Sequence, residues 1–410
     1  MSDKSATSAT PFLSQQLDRR ELLPLLTMED GSPVTPVLWP RRRRELLDLL
    51  EQNLYGHTPP PPDPRSISLQ QLPVPEINWA GKLIHLSYSL AFDTPGGRFA
   101  FPFHLLLPTR GEPPALFLHI SFRPDLPDRY APVEEIVDNG FGLVSFCYQD
   151  VVPDTHDGDF ARGLAGKFHA PGPRSVEEWG KIGVWAWAAS RVMDVLQSME
   201  GPGKAPGPVP EGQLPHSLRA LAVDRGHIIV CGHSRLGKTA LWCAAQDERF
   251  WAGYSNDSGV NGAALAKHGQ GEKVRSFLDA GSWDWFCERY KTYDGREDAL
   301  PYDQHMLLAA VAPRRLYIAS ARDSGDDPQS EFLSGLAASQ VWRLLGREGL
   351  ATPDRYPVPA GDLPSDTVRL HGGEIGYHIR PGQHFFSRTD WQYAMEWACA
   401  AMAREAGRNR

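Results

Sequence analysis

Apolar and polar positions along the chain alternate between two regimes. KLIHLSYSLAF (82–92) and GRFAFPFHLLLP (97–108) have the composition of strands, and ALFLHI (115–120) and GLVSFCY (142–148) are short, nearly continuous apolar runs of the kind found in buried strands. A 3.6-residue period then takes over. Trp179, Ile182, Ala186, Ala189, Met193 and Leu196 recur at steps of three and four behind S-V-E-E, which has the form of a capping box opening at Ser175. HIIVCG predicts a strand and TALWCAAQ a helix, followed by strands at FWAGYS and RRLYIAS and a helix around Glu331 to Leu345. A last loop and helix close the chain. Such alternation predicts an α/β fold with a mostly parallel sheet, whose ligands sit at the carboxyl ends of the strands.

The ends of this pattern are less regular. Residues 1 to about 25 are polar and expected to be loose, and GHTPPPPDPRS reads as an extended connection. The expected organisation is an N-terminal extension packing on the core (1–80) and one catalytic domain (81–405). The basic run Arg41 to Arg44 precedes ELLDLL and reads as the solvated start of an amphipathic helix.

Charge and composition narrow the function classes. With 42 Lys+Arg against 50 Asp+Glu, the net charge of −8 argues against a nucleic-acid partner, which would need a basic surface. The five cysteines imply no disulfide framework. No run of about 18 apolar residues would span a bilayer, and the polar N-terminus lacks a signal-like apolar segment. The expected location is therefore cytoplasmic, or secreted if a leader has been removed.

Between the strand HIIVCG and the helix TALWCAAQ lies GHSRLGK, and Gly232 to Thr239 fits two incompatible templates. One is the phosphate loop G-x-x-x-x-G-K-[ST]; the other is the strand-to-helix elbow that exposes a nucleophilic serine. A phosphate cradle needs small residues, whereas His233, Ser234, Arg235 and Leu236 are bulky and the loop does not follow an opening strand. The elbow is favoured and no nucleotide is expected. It departs from G-x-S-x-G in placing Leu236 at the second glycine, with Gly237 one position later.

GHSRLGKTALWCAAQDERF resembles the serine motif of the glucuronoyl esterases, α/β-hydrolases with the pattern G-[CH]-S-R-x-G-K. EEWGKIGVWAWAASRVMD, SNDSGVNGAAL, LPYDQHMLLAAVAPRRLYIAS and GYHIRPGQHFFSRTDW are similar to that family's segments in the same order, over roughly residues 80 to 400. The resemblance implies an α/β-hydrolase fold and a serine carboxylic ester hydrolase acting on a carbohydrate ester, a (4-O-methyl)glucuronoyl ester in the first instance. A carbohydrate deacetylase, such as an acetyl xylan esterase, and a catalytically dead carbohydrate-binding homologue are the alternatives.

Serine needs a base held in one tautomer by a carboxylate. Ser234 is the expected nucleophile and His384, in RPGQHFF before the last helix, the expected base, with His378 and His305 as competitors. Two positions compete for the acid: Asp257 after FWAGYS and Asp323 at the end of RRLYIASARD. Arg235 is expected to donate its backbone N–H to the oxyanion, and the resemblance implies that its side chain also faces the developing charge. By the resemblance, Lys238 and Glu272 hold sugar hydroxyls. The loop 322–328 lacks the tryptophan that many bacterial relatives carry there, and Trp283 or Trp285 could substitute for it or belong to the core. Neither a Zn-type Cys/His cluster nor a dinucleotide fingerprint is present, so no metal or cofactor is expected.

Overall fold

The computed structural model describes residues 17–18, 20–169, 172–203, 207–352 and 369–408. Residues 1–16, the bulk of the stretch expected to be loose, and part of the Pro/Gly loop near residue 205 lie outside these. Ten strands form one sheet: β1 (Ser68–Leu72), β2 (Leu83–Thr94), β3 (Gly97–Pro108), β4 (Leu116–Ser121), β5 (Gly142–Cys147), β6 (Ile228–His233), β7 (Ala252–Asn256), β8 (Arg315–Ala321), β9 (Arg369–Leu370) and β10 (Ile375–Arg380). Their order is β1-β2-β3-β5-β4-β6-β7-β8-β10-β9. From β5 to β10 all pairings are parallel, while β1–β3 add antiparallel strands at one edge and β9 at the other. This mostly parallel sheet flanked by helices is the α/β-hydrolase fold.

The apolar runs of the central strands are continuous because both faces are covered. Leu116, Leu118, Ile228, Val230, Leu316 and Ile318 face one core. The alternate residues Phe117, Ile229, Cys231, Tyr317 and Ala319 face the other. Helices α2 (Lys181–Gln197), α3 (Arg235–Gln246) and α4 (Pro328–Leu344) contribute to the first core, and α5 (Arg388–Arg408) supplies Trp391, Trp397 and Ala398 to the second.

Several local expectations need correcting. The capping box at Ser175 does not start the long helix; a turn at 176–177 and an isolated bridge at Glu178 follow it, and α2 begins at Lys181 behind Gly180. A Cβ at Gly180 would lie 2.3 Å from the Trp285 carbonyl oxygen, so close packing sets the entry point. The stretch before residue 81 packs on the core. Leu25 and Met28 are buried, as are Leu46, Leu47 and Leu50 of α1 (Trp39–Leu50). Tyr55 stacks on Trp242 of α3 at a centroid distance of 4.5 Å. Nor is the arginine run wholly solvated: Arg42 is buried against Glu45 and the Leu25 and Pro24 carbonyls, and Arg43 donates to the Ala310 and Ala245 carbonyls. Each guanidinium caps backbone oxygens that would otherwise lack donors.

Candidate active site

β6 runs into α3 through one residue, Ser234, whose φ of 57° and ψ of −128° are sparsely populated for a side-chain-bearing residue. Strain of this kind costs on the order of 1–3 kcal/mol and is held in place by its surroundings. Here Ser234 N–H donates to Asn256 O at the end of β7 (2.9 Å), while Ser234 O accepts from Gly237 and Lys238 (2.8 and 3.1 Å). A Cβ at Gly232 would sit 2.3 Å from Leu236 O, and one at Gly237 would crowd Ser258 Cβ at 3.0 Å and Asn256 O at 3.2 Å. The second glycine is therefore needed at 237, where the helix passes closest to β7, and buried Leu236 fills the position one residue earlier.

This geometry turns away the side chains that a phosphate loop would present to its ligand. Lys238 is only 3% exposed, and its Nζ donates to Ser258 O and Val260 O (2.6 Å each) and lies 3.5 Å from Glu272 Oε2. Thr239 Oγ1 donates back to Arg235 O. What remains open at this helix start is the N–H groups of Arg235 and Leu236, since those of Gly237 and Lys238 donate to Ser234 O.

His384 lies in the loop between β10 and α5. The loop is anchored by Arg380, which donates to Gln383 O and Phe385 O and pairs with buried Asp390 (2.8 Å). Asp390 in turn accepts from Ser387 N and Oγ, 2.7 Å each. Thus braced, the His384 ring lies 4.3 Å from the ring of His233, the chain neighbour of Ser234. His378 is occupied elsewhere, between Tyr317 Oη and Asp390, and buried His305 contacts Leu23 O.

The carboxylate that meets His384 is neither of the two weighed from sequence. Asp326 Oδ2 lies 2.6 Å from His384 Nδ1. Asp323 is tied to the start of the histidine loop: its N–H donates to Gly382 O and its carboxylate accepts Gly382 N–H at 3.2 Å. Three residues later the chain has turned back over the sheet edge, which places Asp326 beside the ring just before Asp327 caps α4. The run Asp326-Asp327-Pro328 held the available signal, since Pro marks the helix start and Asp327 its cap. Asp326 is the remaining carboxylate of that run.

Asp257, with φ at 43°, lies below the histidine. Its Oδ1 accepts Ala321 N–H (2.6 Å), and its Oδ2 lies 3.7 Å from Arg380 Nη2 and has no hydrogen bond. Burial, together with the nearby charges of Glu331 and Asp390, holds its carboxyl well above the usual carboxylate range. Glu331 itself is pushed up to about 7 by burial, although it accepts Ser258 N–H, Gly259 N–H and Ser320 Oγ–H. Burial lowers His233 to about 3, so that imidazole is neutral. Among the described residues, His233, Asp257 and His384 each offer a ligand atom within 4.8 Å of the others.

Arg235 occupies the other flank. Its Nη1 pairs with Asp154 Oδ2 at 2.5 Å and its guanidinium lies 4.5 Å from the Trp285 ring centroid. Asp154 also accepts Trp285 Nε1–H (2.8 Å), so one buried carboxylate orients both groups. Asp154 was not singled out from sequence, because nothing local to YQDVVPDTHD marks it. Trp285 is mostly buried, whereas Trp283 lies under Lys291 Nζ at 3.1 Å.

A solved glucuronoyl esterase from Solibacter usitatus is 30% identical to this chain, with a TM-score of 0.75 over 92% of this chain and 97% of that one. The chain belongs to the glucuronoyl esterase family. A sequence model described as "Glucuronyl esterase, fungi" matches residues 214–346, which include the elbow and Asp326. The carbohydrate esterase MZ0003, from an unknown prokaryotic organism, is 35% identical over 65% of this chain. A 4-O-methyl-glucuronoyl methylesterase of Schizophyllum commune is 28% identical over 78% of it. The matches span 55% and 72% of those two proteins, so the chain corresponds to little more than half of MZ0003. Membership makes the chain a carbohydrate esterase by family. It also overturns the cytoplasmic location expected from the polar N-terminus, because the homologous glucuronoyl esterases are secreted enzymes. No helix among the described residues is long and apolar enough to cross a membrane.

Proposed function

We propose that this glucuronoyl esterase family member hydrolyses a uronic acid ester, a (4-O-methyl)glucuronoyl ester, through an acyl-enzyme on Ser234. In this reading His384 takes the proton from Ser234 Oγ as the serine attacks the ester carbonyl, then gives it to the departing alcohol. A water activated by the same imidazole releases the acid. Asp326 holds the Nδ1–H tautomer and stabilises the imidazolium. The Arg235 N–H at the start of α3 and its guanidinium, fixed by Asp154 against Trp285, face the oxyanion. The observation that carries the proposal is the His384–Asp326 contact in a loop whose ring packs against the elbow residue next to Ser234.

The choice of a uronic acid as the acyl part follows from chain geometry. In such an ester the sugar ring is bonded directly to the reacting carbonyl, so its hydroxyls lie within a ring's width of the nucleophile. Lys238, one helical turn after Ser234, carries Glu272 beside it, and Glu272 is 37% exposed at its side chain. Lys238 has its donors directed to two carbonyls and Glu272, so it positions Glu272, which accepts the sugar hydroxyls. Nucleotide, nucleic acid and membrane have no part in this reading.

Turnover of methyl glucuronate, compared with release of acetate from acetylated xylan, tests it. Ser234→Ala is expected to cost on the order of 10⁶ in kcat on the glucuronate ester, as loss of a triad serine does. Turnover of acetylated sugar alone would reassign the substrate to a deacetylase. Retention of sugar binding by a parent that turns over no ester would make the protein a binding module.

A further inference from the structure

The arrangement around His384 has a property that ester hydrolysis does not require. His233 Nδ1 lies 2.6 Å from Asn256 Oδ1, and His384 Nδ1 lies 2.6 Å from Asp326 Oδ2. The Asn256 contact places the proton of a neutral His233 on Nδ1, and Asp326 stands at the Nδ1 side of His384, so Nε2 of each ring is the nitrogen left for another ligand. Near both is Asp257, 1% exposed, with Oδ1 occupied by Ala321 N–H and Oδ2 without a hydrogen bond. Two imidazoles and one carboxylate thus converge, with one ligand atom from each within 4.8 Å of the others.

We infer that these three residues form an inhibitory site for a divalent transition-metal ion of the zinc type. The donor set of two nitrogens and one oxygen is that of open zinc sites, which leave a fourth position to water. Bonds of about 2.0–2.2 Å to a common ion require ligand atoms closer together than 4.8 Å. Binding therefore requires the His384 side chain, 34% exposed in its braced loop, to shift toward the other two ligands. The outer partners are already in place: Asn256 on one imidazole, Asp326 on the other and the Ala321 amide on the carboxylate, the arrangement that orients metal ligands and raises their basicity. Arg380, 3.7 Å from Asp257, is compensated by Asp390 and leaves the Asp257 charge to the ion.

The consequence follows from which electron pair the ion uses. His384 Nε2 is the atom that receives the serine proton in the proposed mechanism, and a bound ion occupies its lone pair. Zinc therefore blocks attack reversibly at one ion per chain. This consequence rests on His384 being the base, whereas the site itself does not.

Calorimetric titration of zinc chloride into Ser234→Ala, which keeps all three ligands, is expected to show one site. Adding His233→Asn or Asp257→Asn should each weaken it at least about 10-fold, the lower end of the loss seen when even an outer partner of a metal ligand is removed. Cobalt(II) in place of zinc should give visible absorption that both changes abolish. With the unmodified protein, zinc should inhibit glucuronate ester turnover with a matching constant and EDTA should restore it. His233→Asn, measured against its own zinc-free rate, should lose sensitivity by the same factor. Unchanged zinc affinity in both double variants overturns the site, while the inactivity of Ser234→Ala still upholds the esterase reading. Zinc binding that depends on His233 without inhibiting turnover overturns the inhibitory role and removes His384 as the base.

Discussion

Asp326 and Asp257 follow the ends of neighbouring strands and approach the same histidine, yet their surroundings give them opposite character. Asp326 keeps 19% of its side chain in solvent and has His384 Nδ1 at 2.6 Å. Asp257 is sealed beneath the loop among Glu331 and Asp390, with one oxygen unpaired and its carboxyl pushed up. Proximity alone does not make a carboxylate the partner of a base. Burial beside like charges disfavours the charge that would steady an imidazolium, and that is the situation of Asp257.

The sharpest way to break this contrast is Asp326→Asn. Loss of the correct histidine tautomer should lower kcat on the order of 10⁴, with KM for the glucuronate ester little changed. Near-parental activity, with the full loss appearing in Asp257→Asn, would reverse the assignment. Next in size is the stability effect of Glu331. Its folded value, about 7 against the ordinary 4.5, means that the native state holds a proton that the unfolded chain releases between those limits. Its contribution is fully present below about 4.5 and is lost as pH rises through 7, by at most about 3 kcal/mol. Glu331→Gln mimics the protonated form, its amide oxygen accepting the Ser258 and Gly259 N–H groups. It should flatten the pH dependence of Tm over that window; an unchanged slope would show that Glu331 titrates normally.

Asp257→Asn should cost no more than about 10-fold in kcat, because the side chain retains its acceptor for Ala321 N–H and loses a charge that burial already disfavours. Combined with Asp326→Asn, it should reduce the rate by less than the product of the two single losses if Asp257 acts only through the histidine. The smallest effect belongs to Asp323→Asn. Its contact is an exposed acceptor for Gly382 N–H, so activity should remain near parental and Tm should move by no more than a degree or two, as for most surface changes. A loss comparable to that of Asp326→Asn would show that the Gly382 tether sets the histidine loop.

Legibility differed by residue. The positions of Ser234 and His384 in the fold were readable because each belongs to a local pattern, a strand-turn-helix elbow and a loop before the last helix. The acid was weighed between Asp257 and Asp323, and the carboxylate at the His384 ring, Asp326, lies three residues after the second of these. Loop 322–328 holds three aspartates, and the Gly382 tether, formed with the histidine loop 59 residues away, holds Asp323 there and leaves Asp326 beside the ring. Lys238 was located in the site, but its turn inward to Ser258 and Val260 depends on the loop after β7. The helix register was readable from Trp179 onward and its start was not, since Gly180 packs against residue 285.

The sequence by itself determined the order of strands and helices, the elbow at Gly232–Gly237 and the resemblance to glucuronoyl esterases, because each is written in contiguous residues whose periodicity or backbone demands are local. Tertiary structure alone decided that Asp326 meets His384, that Asp154 joins Arg235 to Trp285, and that Asp257 lies near two imidazoles with one oxygen lacking a hydrogen bond. These pairings cross between strands, and burial then sets the charge on each group, which no local pattern records.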